Sequence, residues 1–418
     1  MISYKNGIKV ETHTNETEFD EIKLPNSWRV LPNIALFDER ISKGHNNEEL
    51  LSVTIGKGII KQSVGNKRDN SNEDKSNYKL VKVGDIAYNK MRMWQGAVGV
   101  SEYKGIVSPA YVVLKPKIKM NSKFFHYLFR TKFYSNYSKR YSYGLCDDQL
   151  NLRYKDFKRM KSIVPPIEEQ DQIVSFLDRK CKSLDEYIEK RLRIKKLMLE
   201  KINTILFGNR RTEHPKNSNL NWEDYFCEEW EFVKAKRIFR EISIKNQIHE
   251  RLLAVTQDRG VIFKDDAKEN FVSPTEYDNL KLVSKNDFVI SLRSFQGGIE
   301  FSNIQGIVSP AYNVFHLKNA YDNEELQIYY KYLFKTSEFI TLLNTIINGI
   351  RDGKNISYKD FSNLYIPIPD KKTLEMIRVL DKNYNLFKKE TEEEIIRLES
   401  YLESLIYYSV MGQLLLEK

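Results

Sequence analysis

Short runs of β-branched and aromatic residues alternate with polar segments in the first part of the chain. These runs cover residues 50–55, 85–88, 106–107 and 111–114, and their composition is typical of strands. Residues 123–138 are dense in Phe and Tyr at helical spacing, which predicts a helix packed on the resulting sheet. The pattern therefore predicts a mixed α/β globule.

The same order of patterns returns in the second part of the chain. The heptapeptide Gly-Ile-Val-Ser-Pro-Ala-Tyr at residues 105–111 recurs unchanged at residues 306–312. The period is far longer than that of the usual solenoid repeats, so we interpret the chain as a tandem duplication of a whole domain. The second set of predicted strands and its aromatic helix lie at residues 252–256, 287–292, 312–317 and 324–343.

Proline residues mark the end of each globule, at Pro165-Pro166 and at Pro367. Beyond them, apolar residues recur in alternating steps of three and four, which predicts a long helix after each globule. The predicted division is a first globule at residues 1–166, a first long helix at 167–210, a second globule at 211–369 and a second long helix at 370–418.

The apolar stripes of the two predicted helices are suited to each other, although Arg191 and Lys195 interrupt the first. Two long helices with such stripes are expected to pack together. The alternative is that each helix only covers its own globule. A helix of about 40 residues would, however, overhang a domain of about 160 residues.

The composition indicates a folded protein with a polyanionic partner. The 418 residues are 41% apolar and carry a net charge of +10. The three cysteines (Cys146, Cys181 and Cys227) are widely spaced, which favours a reducing compartment over a zinc site or a disulfide framework. No apolar run approaches the roughly 18 residues of a membrane span, and the polar residues 1–21 do not resemble a signal peptide. We therefore expect a cytoplasmic protein.

The motifs of the common enzyme classes are missing. The sequence has no phosphate-binding Gly-rich motif, no methyltransferase motif of the Asn/Asp-Pro-Pro-aromatic type, and no pair of histidines at metal-ligand spacing. Carboxylate-x-Lys triplets at residues 73–75 and 266–268 resemble part of a nuclease site. Their positions are not equivalent in the two copies, and a metal nuclease needs further convergent carboxylates.

An Arg-x-aromatic-Gln-Gly motif at residues 92–96 and 293–297 is better suited to DNA. Arginine and glutamine match the hydrogen-bonding edges of guanine and adenine, and glycine permits close approach. The candidate DNA contacts here are Lys90, Arg92 and Gln95 in the first copy and Ser291, Arg293 and Gln296 in the second. The alternative is that the aromatic residues are core and the arginines pair with Asp85 and Asp287. Residues shared by two copies are also as suited to phosphates as to bases.

Loops that differ between the copies are the better candidates for base specificity, because they can distinguish two half-sites. Basic residues flank equivalent strands in both copies. They are Lys57, Lys61, Lys67, Arg68 and Arg153 in the first copy and Arg259, Lys264, Arg351 and Lys354 in the second.

With these residues in view, the chain resembles the type I restriction-modification specificity subunits over nearly its whole length. The resemblance rests on the duplication, on the Gly-Asp-Ile stretch at residues 84–99, and on the Pro-Pro-Ile-Glu-Glu-Gln run that starts at Pro165 and continues to Leu177-Asp178. The second copy departs from this pattern, with Lys-Lys-Thr at residues 371–373.

The resemblance implies two tandem target-recognition domains, each reading one half of an asymmetric bipartite site in double-stranded DNA. It also implies an antiparallel coiled coil of the long helices that docks two methyltransferase (modification) subunits, with restriction/translocase subunits in the full complex. S-adenosylmethionine, ATP and Mg are then expected only in those partners. This chain is expected to have no catalytic site, cofactor or metal. The competing hypothesis is a non-catalytic coiled-coil scaffold whose globules bind protein or another polyanion.

Overall fold

The computed structural model describes residues 3–5, 8–10, 23–64, 74–208, 222–257, 259–267, 277–347 and 356–414. The chain divides into two compact units. The first unit combines Met1–Ile188 with Glu394–Lys418, and the second is the continuous segment Glu189–Glu393.

The strands of the first unit are β1 (Ser3–Lys5), β2 (Ile8–Val10), β3 (Arg29–Pro32), β4 (Phe37–Glu39), β5 (Leu51–Thr54), β6 (Gly58–Lys61), β7 (Lys79–Val81), β8 (Ile86–Asn89), β9 (Val98–Val100), β10 (Gly105–Val107), β11 (Tyr111–Pro116) and β12 (Lys161–Val164). Four of them form an antiparallel sheet with the order β4-β11-β8-β9. Further antiparallel pairs are β1-β2, β3-β12, β5-β6 and β7-β10. The helices are α1 (Asn33–Leu36), α2 (Ser122–Arg130), α3 (Lys132–Tyr141), α4 (Tyr154–Phe157) and the long α5 (Ile167–Ile205), which continues into the second unit.

The strands of the second unit are β13 (Glu231–Lys234), β14 (Phe239–Ile242), β15 (Leu253–Thr256), β16 (Gly260–Phe263), β17 (Lys281–Val283), β18 (Phe288–Ile290), β19 (Glu300–Phe301), β20 (Gly306–Val308), β21 (Asn313–Leu317) and β22 (Tyr365–Ile368). They repeat the plan of the first unit, with a sheet of order β14-β21-β18-β19 and the pairs β13-β22, β15-β16 and β17-β20. Its helices are α6 (Ala235–Ile238), α7 (Ser294–Gly297), α8 (Glu324–Leu333), α9 (Ser337–Thr345), α10 (Tyr358–Phe361) and the long α11 (Lys371–Val410), which continues into the first unit. The predicted mixed α/β class and the two long helices are confirmed.

Three buried phenylalanines form the same cluster in each core. They are Phe37, Phe129 and Phe157 in the first unit and Phe239, Phe334 and Phe361 in the second. Their ring centroids lie 5.7 to 6.3 Å apart in the first unit and 5.7 to 5.9 Å apart in the second. Such contacts add to the burial of apolar surface. Phe37 and Phe239, and the final phenylalanine of each Tyr-Lys-Asp-Phe motif, are therefore core residues.

The single aromatic helix predicted in each copy is wrong, because two helices occupy that segment. In the first unit the break lies at Thr131, whose backbone is extended and whose side chain accepts a hydrogen bond from the Tyr134 amide at 3.1 Å. Thr336 has the same role in the second unit, with the Phe339 amide at 3.2 Å. Threonine is a favoured N-cap, so each one begins a new helix inside a continuous aromatic pattern.

The repeated heptapeptide is explained by close backbone packing. A Cβ atom at Gly105 would lie 2.4 Å from the Glu49 carbonyl oxygen, and one at Gly306 would lie 2.4 Å from that of Arg251. At the other end of the heptapeptide, Lys79 donates to the Tyr111 carbonyl at 2.9 Å; the matching bond in the second unit, from Lys281 to Tyr312, is 2.7 Å. The two copies thus share the heptapeptide because it has the same structural role in both units.

A tryptophan fastens the start of each long helix to its globule. The Trp28 indole donates to Glu169 at 2.7 Å, and the Trp230 indole donates to Asp370 at 3.0 Å. Asp370 also accepts a hydrogen bond from the amide of Thr373. The second copy therefore keeps the tryptophan–carboxylate contact through a different residue, although it departs from the Glu-Glu-Gln pattern.

Within each unit, a half of one long helix packs against a half of the other. In the first unit Leu177 and Leu405 share one core, and Tyr187 donates to Glu394 at 2.8 Å. The helices are antiparallel there, because the later residue of α5 contacts the earlier residue of α11. In the second unit the guanidinium of Arg191, which interrupts the apolar stripe, lies 4.3 Å from the ring centroid of Phe387. A coiled coil along the full length of the helices stays a prediction.

The repeated Leu-Asp motif of the long helices is a second anchor. Asp178 accepts hydrogen bonds from Tyr127 at 2.6 Å and from Lys123 at 3.2 Å. Asp381 accepts from Lys331 and Tyr332, both at 2.7 Å. The side chain of Asp381 is only 11% exposed, whereas that of Asp178 is 39% exposed.

This difference in burial gives a prediction for stability. Asp381→Ala should lower the free energy of unfolding by about 3 kcal/mol, because it removes a charged acceptor from the buried Tyr332 hydroxyl and the half-buried Lys331 ammonium. Asp178→Ala should cost less than about 1 kcal/mol, because water can replace the exposed carboxylate. Urea unfolding of both variants would measure this, and equal losses would contradict the assignment.

Candidate nucleic-acid interface

The hairpin turns of the two units are built alike and expose a basic residue at the same place. In the β5–β6 turn, the Thr54 hydroxyl donates to the Gly58 carbonyl at 3.0 Å and accepts from the Lys57 amide at 3.1 Å. In the β15–β16 turn, Thr256 makes the matching bonds at 3.0 Å to Gly260 and at 3.2 Å from Arg259. Lys57 and Arg259 are both exposed.

Arg130 holds the first hairpin turn in place. Its guanidinium donates to the Ile55 carbonyl at 2.9 Å, to the Gly56 carbonyl, and to Nε2 of His126 at 3.1 Å. Burial, followed by the positive charges of Arg130 and Lys123, lowers the pKa of His126 to about 3. The imidazole is therefore neutral near pH 7 and accepts the hydrogen bond from Arg130.

The neutral His126 predicts a pH dependence of stability. The unfolded chain binds a proton at this histidine near pH 6.5, whereas the folded chain does so only near pH 3. The stability that the neutral imidazole contributes is thus complete above pH 6.5 and is lost as the pH falls, by at most about 1.4 kcal/mol per pH unit. Denaturation at several pH values should give a flatter profile for His126→Gln than for the unaltered chain. Parallel profiles would contradict this assignment.

The Arg-x-aromatic-Gln-Gly motif forms a short helical turn directly after a central strand. In the first unit Met93 is buried, while Arg92 and Gln95 are exposed. In the second unit Ser294 is buried, while Arg293 and Gln296 are exposed. The turn therefore directs the arginine and the glutamine outwards in both units.

The carboxylates considered as partners of these arginines have other partners. Asp85 binds Arg40 through two hydrogen bonds of 2.7 and 3.0 Å, and Asp287 binds His316 at 2.8 Å. The aromatic residues of the motif are half-buried, and the Trp94 ring lies 4.9 Å from the Lys139 ammonium. The alternative of a buried arginine–carboxylate pair is therefore wrong.

The exposed loops of the first unit are linked to one another. Gly96 approaches the Arg130 backbone, the same residue that holds the hairpin turn. The Leu152 amide donates to the Lys90 carbonyl at 2.8 Å, which brings the exposed Arg153 beside Lys90. Burial lowers the pKa of Lys90, and the positive charges of Lys79 and Arg153 add to this effect. We call these linked residues (Lys57, Lys90, Arg92, Gln95 and Arg153) the first loop strip.

The second unit has a matching second loop strip (Arg259, Ser291, Arg293 and Gln296). Gln257 in the hairpin turn donates to the Arg293 carbonyl at 3.3 Å and lies 3.5 Å from the Gln296 side-chain oxygen. The Ser291 hydroxyl accepts from the Arg293 amide at 3.3 Å. The hairpin turn and the arginine turn are thus joined in this unit as well.

The comparisons with known proteins agree on one family. The family model described as the type I restriction modification DNA specificity domain matches residues 50–195, a segment that contains the whole first loop strip. The chain is 25% identical over 353 residues to a protein of Methanocaldococcus jannaschii named as the MjaX type I restriction enzyme specificity subunit, with 79% of each chain covered. Residues 50–195 thus match a type I restriction modification DNA specificity domain, and most of the chain is similar to a specificity subunit.

A solved structure shares the fold of this chain. A chain from the work on complex assembly and conformational transition of the type I R-M system gives a TM-score of 0.56 at 14% identity, over 94% of this chain and 99% of that chain. The HsdS subunit from Thermoanaerobacter tengcongensis gives a TM-score of 0.45 at 15% identity, over 95% and 100% of the two chains. The family model and the Methanocaldococcus jannaschii relative, and not these folds, support the role of a DNA specificity subunit for this chain, and subunits of that family are non-catalytic.

Some candidate residues of the specificity subunit lie apart from the loop strips. Lys61 is at the opposite end of β6 from the hairpin turn and forms an ion pair with Glu49 at 2.8 Å, which raises the pKa of Lys61. Lys264 begins a short turn after β16 and is half-buried. Four further candidates lie outside the described residues: Lys67, Arg68, Arg351 and Lys354.

The sequence analysis named Arg153 as a candidate but not the basic groove that it lines beside the first loop strip. This groove has a volume of about 660 Å³ and includes Arg153 in its lining. The other lining residues are Arg140, Tyr141, Ser142, Tyr143, Lys155, Asp156 and Arg159. A sequence signal was present, because residues 132–161 contain eight Lys or Arg against three Asp.

Among the described residues, no group of His, Cys, Asp and Glu is arranged to hold a metal ion, and no helix is long and apolar enough to cross a membrane. In the first carboxylate-x-Lys triplet, the Asp74 side chain accepts a hydrogen bond from the Ser76 amide at 2.9 Å. This bond lowers the pKa of Asp74 and is typical of a turn.

Proposed function

We propose that this specificity subunit binds an asymmetric, bipartite site in double-stranded DNA and that each loop strip recognises one half of it. The observation that carries the proposal is the repetition of one loop arrangement with different side chains at matching places. Lys57 corresponds to Arg259, and Trp94 corresponds to Phe295. Equal scaffolds position the two strips similarly, while unequal side chains can distinguish the two halves.

Arg92 and Arg293 are assigned to phosphate contacts. They are exposed, they occupy the same place in both copies, and shared residues cannot encode the difference between two half-sites. Lys57 and Arg259 are better suited to base contacts, because they differ at matching turns. Arginine can bind guanine through two hydrogen bonds, whereas lysine presents a point charge.

The long helices are the proposed docking surface for two modification subunits. Both carry large apolar side chains that are 40% exposed or more, and exposed apolar surface of this kind marks protein interfaces. In α5 they are Tyr187, Leu192, Ile194 and Leu197, and in α11 they are Val379, Leu386, Ile396, Tyr401 and Tyr408.

S-adenosylmethionine, ATP and Mg are assigned to the partner subunits and not to this chain. The proposal rests on the missing phosphate and methyltransferase motifs in the sequence. Titration calorimetry of the full chain with S-adenosylmethionine should give no binding heat. A saturable signal would overturn this assignment.

Selection from a library of random duplexes by the full chain tests the main proposal. The selected pool should contain two short conserved segments separated by an unconserved gap. Exchanging Lys57 for Arg should alter one segment, and exchanging Arg259 for Lys should alter only the other. A pool without sequence preference would instead favour the non-catalytic scaffold.

A further inference from the structure

A closed loop with an exposed apolar tip follows α3 in the first unit. The loop spans residues 143–149, and its ends are joined by two backbone hydrogen bonds. Tyr143 donates to the Asn151 carbonyl at 3.2 Å, and Asn151 donates back at 2.9 Å. Buried Leu150 and Leu152 anchor the chain immediately after the loop. The loop is therefore held in one position by its base.

The tip of this loop holds apolar surface in water. Leu145 at the tip is 99% exposed, and Tyr143 at the base of the loop is 75% exposed. Single exposed leucines are common on protein surfaces. Leu145 differs because it lies on a closed loop next to the first loop strip, where it can contact DNA that the strip binds.

The foot of the loop, by which we mean the groove residues at its base, is cationic and not apolar. Four of the groove residues are cationic (Arg140, Arg153, Lys155 and Arg159) and one, Asp156, is anionic. Asp156 pairs with Arg159 at 3.2 Å. The excess of positive charge at the foot suits the phosphates of a nucleic acid backbone.

The loop carries no cation from residue 143 to residue 149, and it includes Asp147, Asp148 and Gln149. Asp147 is neutralised by Lys139 at 2.8 Å, whereas Asp148 is exposed. A carboxylate beside phosphates is unfavourable, but at a base edge it accepts from the cytosine amino group. Glutamine likewise pairs with adenine, and an apolar side chain contacts the thymine methyl group.

We propose that the loop at residues 143–149 enters the major groove of duplex DNA and reads bases of the half-site that belongs to the first unit. Leu145 contacts a thymine methyl group, Asp148 accepts from a cytosine, and the cations of the groove bind the flanking phosphates. This inference rests on the proposed function, because it names the element by which the first loop strip discriminates between bases.

The experiment compares base preferences of the full chain in a pool of random duplexes. Leu145→Ala should reduce the preference about tenfold at one base pair of one half-site. It should leave the other half-site and the affinity for unselected duplex unchanged. Asp148→Asn should relax a neighbouring position in the same half-site. Ile41→Ala, which truncates another exposed residue of the same unit, is the matched control and should change nothing.

Arg159→Gln tests the foot of the loop separately. It should weaken binding to all duplexes alike and reduce the dependence of binding on salt by about one phosphate contact. If Arg159→Gln changed the base preference at one base pair only, Arg159 would contact a base and not a phosphate, and the proposal would be contradicted.

The results distinguish a failure of the loop proposal from a failure of the proposed function. If the unaltered chain selects two half-sites and Leu145→Ala selects the same ones with equal strength, the loop does not read bases and the proposed function stands. The same conclusion follows if Leu145→Ala abolishes assembly with a modification subunit while DNA preference is kept. If the unaltered chain selects no sequence, both proposals are overturned.

Discussion

Gly298→Ala should lower the free energy of unfolding by about 4 kcal/mol, through strained backbone and overpacking together. Gly298 follows the arginine turn of the second unit with φ of +78°, and an added Cβ would lie 2.1 Å from the Phe334 carbonyl oxygen. The backbone must move to make room. Because the turn bears Arg293 and Gln296, binding to duplex DNA should weaken as well.

Gly96→Ala is the matched control for this substitution. Gly96 ends the arginine turn of the first unit with φ of +80°, but the nearest atom to an added Cβ would be 3.7 Å away. Only the backbone strain remains, so the expected loss is about 1 to 2 kcal/mol. Thermal and urea unfolding of both variants would measure the difference. Equal losses would show that the close approach to Phe334 is not maintained in solution.

The paired substitution of Arg92 and Arg293 by alanine should weaken binding to every duplex by about a hundredfold. Each arginine is exposed and is assigned to one phosphate, and a hydrogen bond to a charged group contributes about 1.5 kcal/mol or more. The slope of log affinity against log salt concentration should fall by nearly two, because about one counterion is released for each phosphate that is neutralised.

Arg397→Ala is the control for a simple loss of charge, because Arg397 is an exposed arginine of α11. It should leave binding to DNA nearly unchanged. Fluorescence anisotropy at several salt concentrations, on selected and on random duplexes, separates the outcomes. If Arg92→Ala relaxed one base position and spared random duplexes, Arg92 would be a base-reading residue.

The sequence allowed much of the fold to be predicted, because the duplication displays most of its described elements twice. The glycine that begins the heptapeptide lies where the backbone leaves no room for a side chain, and the phenylalanine of the Tyr-Lys-Asp-Phe motif lies in the core. The breaks at Thr131 and Thr336 were missed, because a single cap residue outweighs an aromatic pattern that continues past it. Periodicity reports which face is buried and not where a helix restarts.

The site was less predictable, because it depends on contacts between distant parts of the chain. Arg130 reaches the Ile55 carbonyl 75 residues away, and Asp85 is bound by Arg40 at a separation of 45 residues. The basic character of Lys61 was evident from the sequence, but its ion pair with Glu49 was not. The position of a charged side chain in a site is a tertiary property that local pattern does not encode.

The division of the first unit into two separate segments has a consequence for biosynthesis. Its core includes Leu405, Val410 and Met411 together with Leu24 and Trp28. On the ribosome, the globule that is translated first must wait with part of its apolar surface uncovered until α11 has emerged. The continuous second segment has by then left the exit tunnel and can complete its own core. We therefore expect the second core to be completed before the first, and the first globule to be the one exposed to aggregation in the nascent chain.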